Sequence, residues 1–200
     1  MADTKSQRRE QILRAAEQLF QHYGYGKTTV ADIARAAEVG VGSVYLEFSS
    51  KAAIASELSL RRYDCMLETM RTTVSGTGSF AERLEALLTS QFEWLARFAE
   101  EGPHGKELLR GACSATNQAH ERFHQAKEEL LTGFLTQAVA AGEFALSEPR
   151  LGARLLLRML AAYVGPGALG AHASMEEARA EVSAAADLLL RGLLCRGEAQ

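Results

Sequence analysis

Residues 28–51 read TTVADIARAAEVGVGSVYLEFSSK, and this stretch limits the fold more than any other in the chain. Val30, Ile33, Ala34 and Ala37 fall at three- and four-residue steps, the spacing that puts apolar side chains on one face of a helix. Thr29-Val30-Ala31-Asp32 ahead of them is a capping pattern, in which the hydroxyl accepts from the backbone three residues on and the carboxylate returns the bond. Asp is a weaker last member of that box than Glu. The helix stops near Glu38, and Val39 and Gly40 fill a turn. A second short helix follows, in which Val44 and Phe48, four apart, close a small core and turn Gly42, Ser43, Leu46 and Glu47 outward. Ser49 and Ser50 then offer an N-cap for a helix starting at Lys51.

The segment before this pair completes a three-helix unit. Ile12, Ala16, Leu19, Phe20 and Tyr23 recur with helical spacing from about residue 6 to 22, and Gly24 is a natural left-handed cap. Lys5, Arg8 and Arg9 lead into the first turn, where they oppose the helix dipole. Two readings of them stand, contact with a polyanion and ordinary solvated surface.

A capped helix, a short turn, a compact Val-Tyr-x-x-Phe helix and a Ser-Lys cap, in that order, resemble the DNA-binding domain of the TetR/AcrR family of transcriptional regulators. The resemblance covers about residues 8–55, and the ending Tyr45, Phe48, Lys51 is its most diagnostic part. It implies a helix-turn-helix domain at 1–52 and a helical effector-binding and dimerisation domain at 53–200. It also implies that Tyr45 and Lys51 hold DNA phosphates, that Thr29 does so from the start of the second helix, and that Gly40, Val41, Gly42 and Ser43 approach the groove. A helix of this size fits the major groove, and a two-fold dimer places two of them on a palindromic site. Lys51 stands at a helix N-terminus, which itself favours an anion. The chain departs from the family pattern on the reading edge: Gly40 and Val41 stand where polar or basic residues are frequent, and Leu46 and Glu47 where aromatic or histidine side chains are common. A phosphate would repel Glu47, whereas a cytosine amino group would donate to it. Specificity is then expected from Ser43, from apolar contact of Val41 or Leu46 with thymine methyls, from Glu47 and from DNA shape.

The rest of the chain is rich in helix formers and holds three prolines in 200 residues, so an all-α protein of about nine helices is expected. A long helix runs from Lys51 past Ile54, Leu58, Cys65, Met66, Met70 and Val74 to a break at residues 75–79. Phe80 to about Glu101 is strongly amphipathic, and Gly102-Pro103-His104-Gly105 is the clearest breaker. A short helix around residues 108–113 precedes a longer one at about 118–141, then one at about 148–164 opened by Pro149, and a last one to about Cys195 behind Ser174-Met175-Glu176-Glu177. Leu156, Leu160, Val182, Ala185, Leu189 and Leu193 give the last two helices more apolar surface than one interior needs, which points to a homodimer interface; the resemblance implies the same, as a four-helix bundle. Phe92, Trp94, Phe98, Cys113, Asn117, Phe123, His124, Phe134 and Tyr163 sit on helices that either surround a cavity or form an ordinary core. The resemblance implies a small-molecule effector pocket, whose occupation shifts the DNA-reading domains if the ligand prefers one arrangement.

Composition excludes several other classes. Net charge is −3; residues 1–75 hold 10 Lys and Arg against 9 Asp and Glu, leaving 12 against 16 for the remainder, so any basic footprint is local. No apolar run approaches the roughly 20 residues of a membrane span and no secretory signal is recognisable, which places the chain in the cytoplasm. Cys65, Cys113 and Cys195 lack paired spacing and are expected to be reduced and mostly buried, with a redox sensor as the other reading. His120 and His124 are four apart, but no third ligand or His-Glu-x-x-His pattern joins them, and surface or pocket-rim histidines are expected. With no serine elbow, phosphate loop or cofactor motif, the expectation is a ligand-responsive DNA-binding regulator, a repressor released by a small apolar effector, that is not an enzyme and needs no cofactor. The alternative is a helical dimeric ligand- or protein-binding module with weak DNA binding.

Overall fold

A computed structural model of the protein describes residues 2–100, 104, 114–164 and 175–194. Eight helices are seen among them: α1 (Ala2–Tyr23), α2 (Val30–Ala36), α3 (Val41–Glu47), α4 (Lys51–Val74), α5 (Phe80–Glu100), α6 (Ser114–Ala140), α7 (Pro149–Val164) and α8 (Met175–Leu193). The short helix expected around residues 108–113 and the cap at Ser174 lie outside the described residues. The chain divides into two compact units, Met1–Asp64 with Phe98–Arg122, and Cys65–Arg97 with Phe123–Gln200, so the boundary falls within α4.

In the first unit, α2 and α3 have seven residues each, far below the length at which an isolated helix holds in water. They persist because they share a core with α1 and the start of α4. Ile12, Leu13, Ala16 and Phe20 meet Ile33, Ala34, Ala37, Val44, Phe48, Ile54 and Leu58, all buried. Burying side chains of this size contributes about 1.5–3 kcal/mol each, enough to hold two helices that propensity alone would not. Gly24 takes φ +84° and ends α1, as its type predicts. The turn after α2 falls where the sequence places it. Its left-handed residue is Glu38 (φ +55°), whose N–H bonds the Arg35 carbonyl while Val39 N–H reaches Ala34, a Schellman closure made without glycine.

In the second unit, Met66, Leu67 and Met70 on α4, Leu84, Leu87, Leu88 and Phe92 on α5, and Phe123, Leu131, Phe134, Leu135 and Ala138 on α6 are buried. Glycine and serine break the chain at residues 75–79, and α5 restarts on a capping box: Ser79 Oγ accepts from Glu82 N–H at 3.2 Å and Glu82 Oε2 accepts from Ser79 N–H at 2.8 Å. Glu143 takes the next orphan donor, Phe80 N–H, at 2.8 Å. Arg83 lies over the Phe80 ring at 4.0 Å and donates to the Val74 carbonyl at 2.8 Å, tying the end of α4 to the start of α5. Cys65 is exposed, against expectation, because it lies beside the Met66–Met70 stripe rather than on it; Cys113 and Cys195 are outside the described residues.

The residues expected at a dimer face are divided between buried and groove-lining positions. Leu156, Val182 and Leu193 are buried within a single chain. Leu156 and Leu160 of α7 and Val182, Ala185 and Leu189 of α8 line one apolar groove, together with Leu88 of α5. Among the described residues, the large aliphatic side chains left outward on these helices are Leu151 (40% exposed), Leu155 (49%) and Leu188 (73%).

Candidate nucleic-acid interface

Thr28 and Thr29, adjacent and identical in type, do opposite work. Thr28 is buried and its hydroxyl donates to the Gly24 carbonyl at 2.9 Å, closing the loop from α1. Thr29 is exposed and caps α2: its Oγ1 accepts from Asp32 N–H at 3.1 Å, and Asp32 Oδ2 accepts from Thr29 N–H at 3.1 Å. The capping box read from the sequence is therefore formed. Hydrogen bonds from the Thr29 side chain, then from its backbone, hold the Asp32 carboxyl below the usual carboxylate range.

Helix α3 presents the free face. Tyr45 is 55% exposed, Leu46 76% and Val41 43%, while Val44 and Phe48 are buried beneath them. Gly40 and Gly42 are exposed, Ser43 is partly buried, and a methyl group added at Gly42 would meet open space. The backbone at the start of α3 is thus bare enough for a large partner to approach closely. The outward face offers one phenol, two aliphatic side chains and bare peptide, and no charge.

That neutrality follows from the position of Glu47, which corrects the expectation that it faces outward. Its side chain is 1% exposed. Arg8 donates to its Oε1 through Nε at 3.0 Å and through a terminal nitrogen at 2.6 Å, and Arg9 donates to its carbonyl oxygen at 2.9 Å. Arg9 also lies 4.1 Å from the centre of the Phe48 ring and pairs with Glu57 at 3.3 Å. The basic residues at the start of α1 are therefore fastened to α3 and α4. Sequence spacing gives no hint of this, because the partners are 38 and 39 residues apart.

Lys51 also has work inside the unit. Its ammonium donates to the carbonyl oxygens of Tyr25 and Thr28, each at 2.7 Å, and sits 4.2 Å from the centre of the Tyr25 ring. It clamps the α1–α2 loop, leaving one of its three N–H donors for an outside anion.

Of the nine residues expected around an effector, five have described side chains. Phe92, Phe123 and Phe134 are buried and Trp94 is partly buried. His124 is exposed, so it does not line the interior of its unit; its ring meets the edge of Phe123 at 5.9 Å. The side chains of Phe98, Asn117 and Tyr163, and all of Cys113, lie outside the described residues. Lys127, unremarked in the sequence, lies 4.5 Å from the centre of the Phe123 ring, and burial lowers its ammonium to about 8. His120 is partly buried and shares a hydrogen bond with the Tyr63 hydroxyl at 3.1 Å, while burial pushes the Tyr63 phenol up. No group of three or more metal-binding side chains occurs among the described residues, and no helix there is long and apolar enough to cross a membrane.

Known proteins match this arrangement. Residues 12–58 fit the model of the "Bacterial regulatory proteins, tetR family". The HTH-type transcriptional repressor KstR2 of Rhodococcus jostii is 32% identical over 146 residues, 70% of this chain and 69% of that protein. KstR2 of Mycobacterium tuberculosis is 28% identical over 161 residues, covering 80% and 79%. The crystal structure of the transcriptional regulator FadR from Bacillus subtilis in complex with stearoyl-CoA superposes with a TM-score of 0.74 at 22% identity, over 92% of this chain and 98% of that one, a likeness of fold. The similarity to KstR2 runs far past the three-helix unit, and on that ground the chain belongs to the tetR family of bacterial regulatory proteins.

Proposed function

We propose that the protein is a cytoplasmic transcriptional repressor, not an enzyme, that binds a palindromic DNA operator as a homodimer and leaves it when a small apolar effector binds its C-terminal part. The functional division is the one read from the sequence, 1–52 for DNA and 53–200 for effector and dimer. The observation that carries the DNA reading is the outward face of α3, where Val41, Tyr45 and Leu46 stand exposed over a buried Val44–Phe48 anchor. In this reading Tyr45 and Thr29 hold phosphates, and the free donor of Lys51 adds a third such contact. Gly40, Val41, Gly42 and Ser43 enter the major groove, and Leu46 and Val41 touch thymine methyls. Charge contributes little to this readout, because the only ionisable groups on α3 are the Tyr45 phenol and the inward Glu47. The effector reading draws on the repressor KstR2 and on FadR bound to stearoyl-CoA, and makes a fatty-acyl thioester the first ligand to test.

The test is selection of duplexes from a randomised library by the purified protein, followed by mobility shifts on the enriched sequence. An enriched palindrome is expected, with stearoyl-CoA releasing it. Tyr45→Ala and Leu46→Ala are expected to weaken binding about tenfold each, roughly 1.4 kcal/mol, with thermal unfolding nearly unchanged because both side chains are exposed. Absence of any enriched duplex would remove the DNA reading and leave a dimeric ligand- or protein-binding module.

A further inference from the structure

Helix α3 ends on a carboxylate that solvent barely reaches, although nothing about helix stability calls for one there. Glu47 occupies the C-terminal end of the helix, where the dipole disfavours negative charge. A buried ion is costly unless paired, and apolar replacement of a buried ion pair is often neutral or stabilising. The pairing is also incomplete: Oε1 takes both bonds from Arg8, and the buried Oε2 takes none among the described residues. Stability alone therefore does not account for the residue.

Geometry supplies the account. Val44 is the buried apolar residue within α3, and Phe48, buried just past its end, caps it in extended conformation. One anchor within a two-turn helix and one beyond its end fix the distance of the helix from its core but leave its roll weakly determined. Arg8 and Arg9 add attachments at Glu47, one at the side chain and the other at the carbonyl oxygen. Arg9 is itself held by Glu57 and the Phe48 ring, so the attachment is braced against α4.

We infer that Glu47, gripped by Arg8 and Arg9, sets the roll of α3 and so decides which faces of Val41, Tyr45 and Leu46 meet DNA. It is a positioning residue that determines specificity without reading a base. The inference rests on the DNA-binding reading above and deepens it.

The experiment uses the full chain, the duplex enriched by the wild-type protein and a scrambled duplex of the same composition. For Glu47→Gln, Arg8→Met and the double variant Arg8→Met/Glu47→Leu, the ratio of affinities for the two duplexes is measured and the base preferences are reselected. Each single change is expected to lower the ratio about tenfold, with binding to the scrambled duplex unchanged or stronger, and to blur preference at several base positions together. The double variant is expected to lose no more than the worse single one, since both act through one attachment. An unchanged ratio in folded variants would make the pair merely structural and overturn the inference. A change at one base position in Glu47→Gln, with Arg8→Met silent, would make Glu47 a base reader and overturn it equally. If Arg8→Met does not fold, Glu47→Gln and Glu47→Leu decide by the same ratio. A wild-type protein that enriches no duplex would overturn the underlying DNA reading, and this inference with it, which is a different outcome from intact selection with unaltered variants.

Discussion

Lys51 shows how far a residue's neighbours, rather than its type, decide its work. The sequence places it at the start of a helix, and that much is right. What the sequence conceals is the course of the loop before α2, where Gly24 in the left-handed region turns the chain so that the Tyr25 and Thr28 carbonyls converge on one point. Lys51→Met keeps most of the stem's packing but strands those two carbonyls. We expect it to cost about 3 kcal/mol, the lower end for two charge-assisted bonds, read as a lower urea midpoint with an unchanged slope. A midpoint within error of wild type would mean that water satisfies the carbonyls as well as the ammonium does. Glu47 was misread for the same reason: in α3 it follows two outward residues, and only the distant Arg8 and Arg9 turn it inward.

Among the elements, helix starts were the most legible feature. Thr29-x-x-Asp32 before α2, the serines before Lys51, and Pro149 in the first turn of α7 are local signals, and local signals survive folding. Ser79-x-x-Glu82 carries the same signal before α5, hidden in sequence by the glycines around it. Its carboxyl is held below the usual range by the Ser79 backbone N–H first and the Ser79 hydroxyl second, the reverse of the order in which the Thr29 side chain and backbone act on Asp32. Both carboxyls are more acidic folded than unfolded. Each therefore contributes stability that is complete above the unfolded value, about 4, and is lost as pH falls through the lower folded value. Asp32→Asn and Glu82→Gln should be less stable than wild type at pH 7, and the difference should close as the pH approaches 2. Urea unfolding at pH 7, 4 and 2 checks this; a gap that persists at pH 2 would assign the effect to shape rather than charge. The facing of α7 and α8 was less legible, because a stripe repeating every three or four residues names a helix but not the neighbour it buries against.

For the molecule as a whole, the sequence conveyed the all-α class and the identity of its first fifty residues, since a three-helix core is made of contacts among near neighbours. The second unit carries no comparable motif, and its core emerged only with the structure. We propose its outward leucines, 151, 155 and 188, as the surface of the homodimer. Leu188→Glu, at a side chain 73% exposed, should leave the fold intact and give a monomer in sedimentation analysis, with affinity for the enriched palindrome reduced at least tenfold. A dimer that survives this change and Leu155→Glu together would move the interface elsewhere.

One consequence of the exposed face of α3 concerns descent rather than mechanism. The side chains most available to DNA, Val41, Tyr45 and Leu46, are largely outside the core, and Gly42 has empty space above it. The residues that keep the helix in place, Val44, Glu47 and Phe48, are buried. Surface substitutions of the first kind usually shift stability by less than about 0.5 kcal/mol. Duplicated copies of such a gene can therefore drift to new target sequences by mutation at these few positions, without first passing through a protein too unstable to be kept.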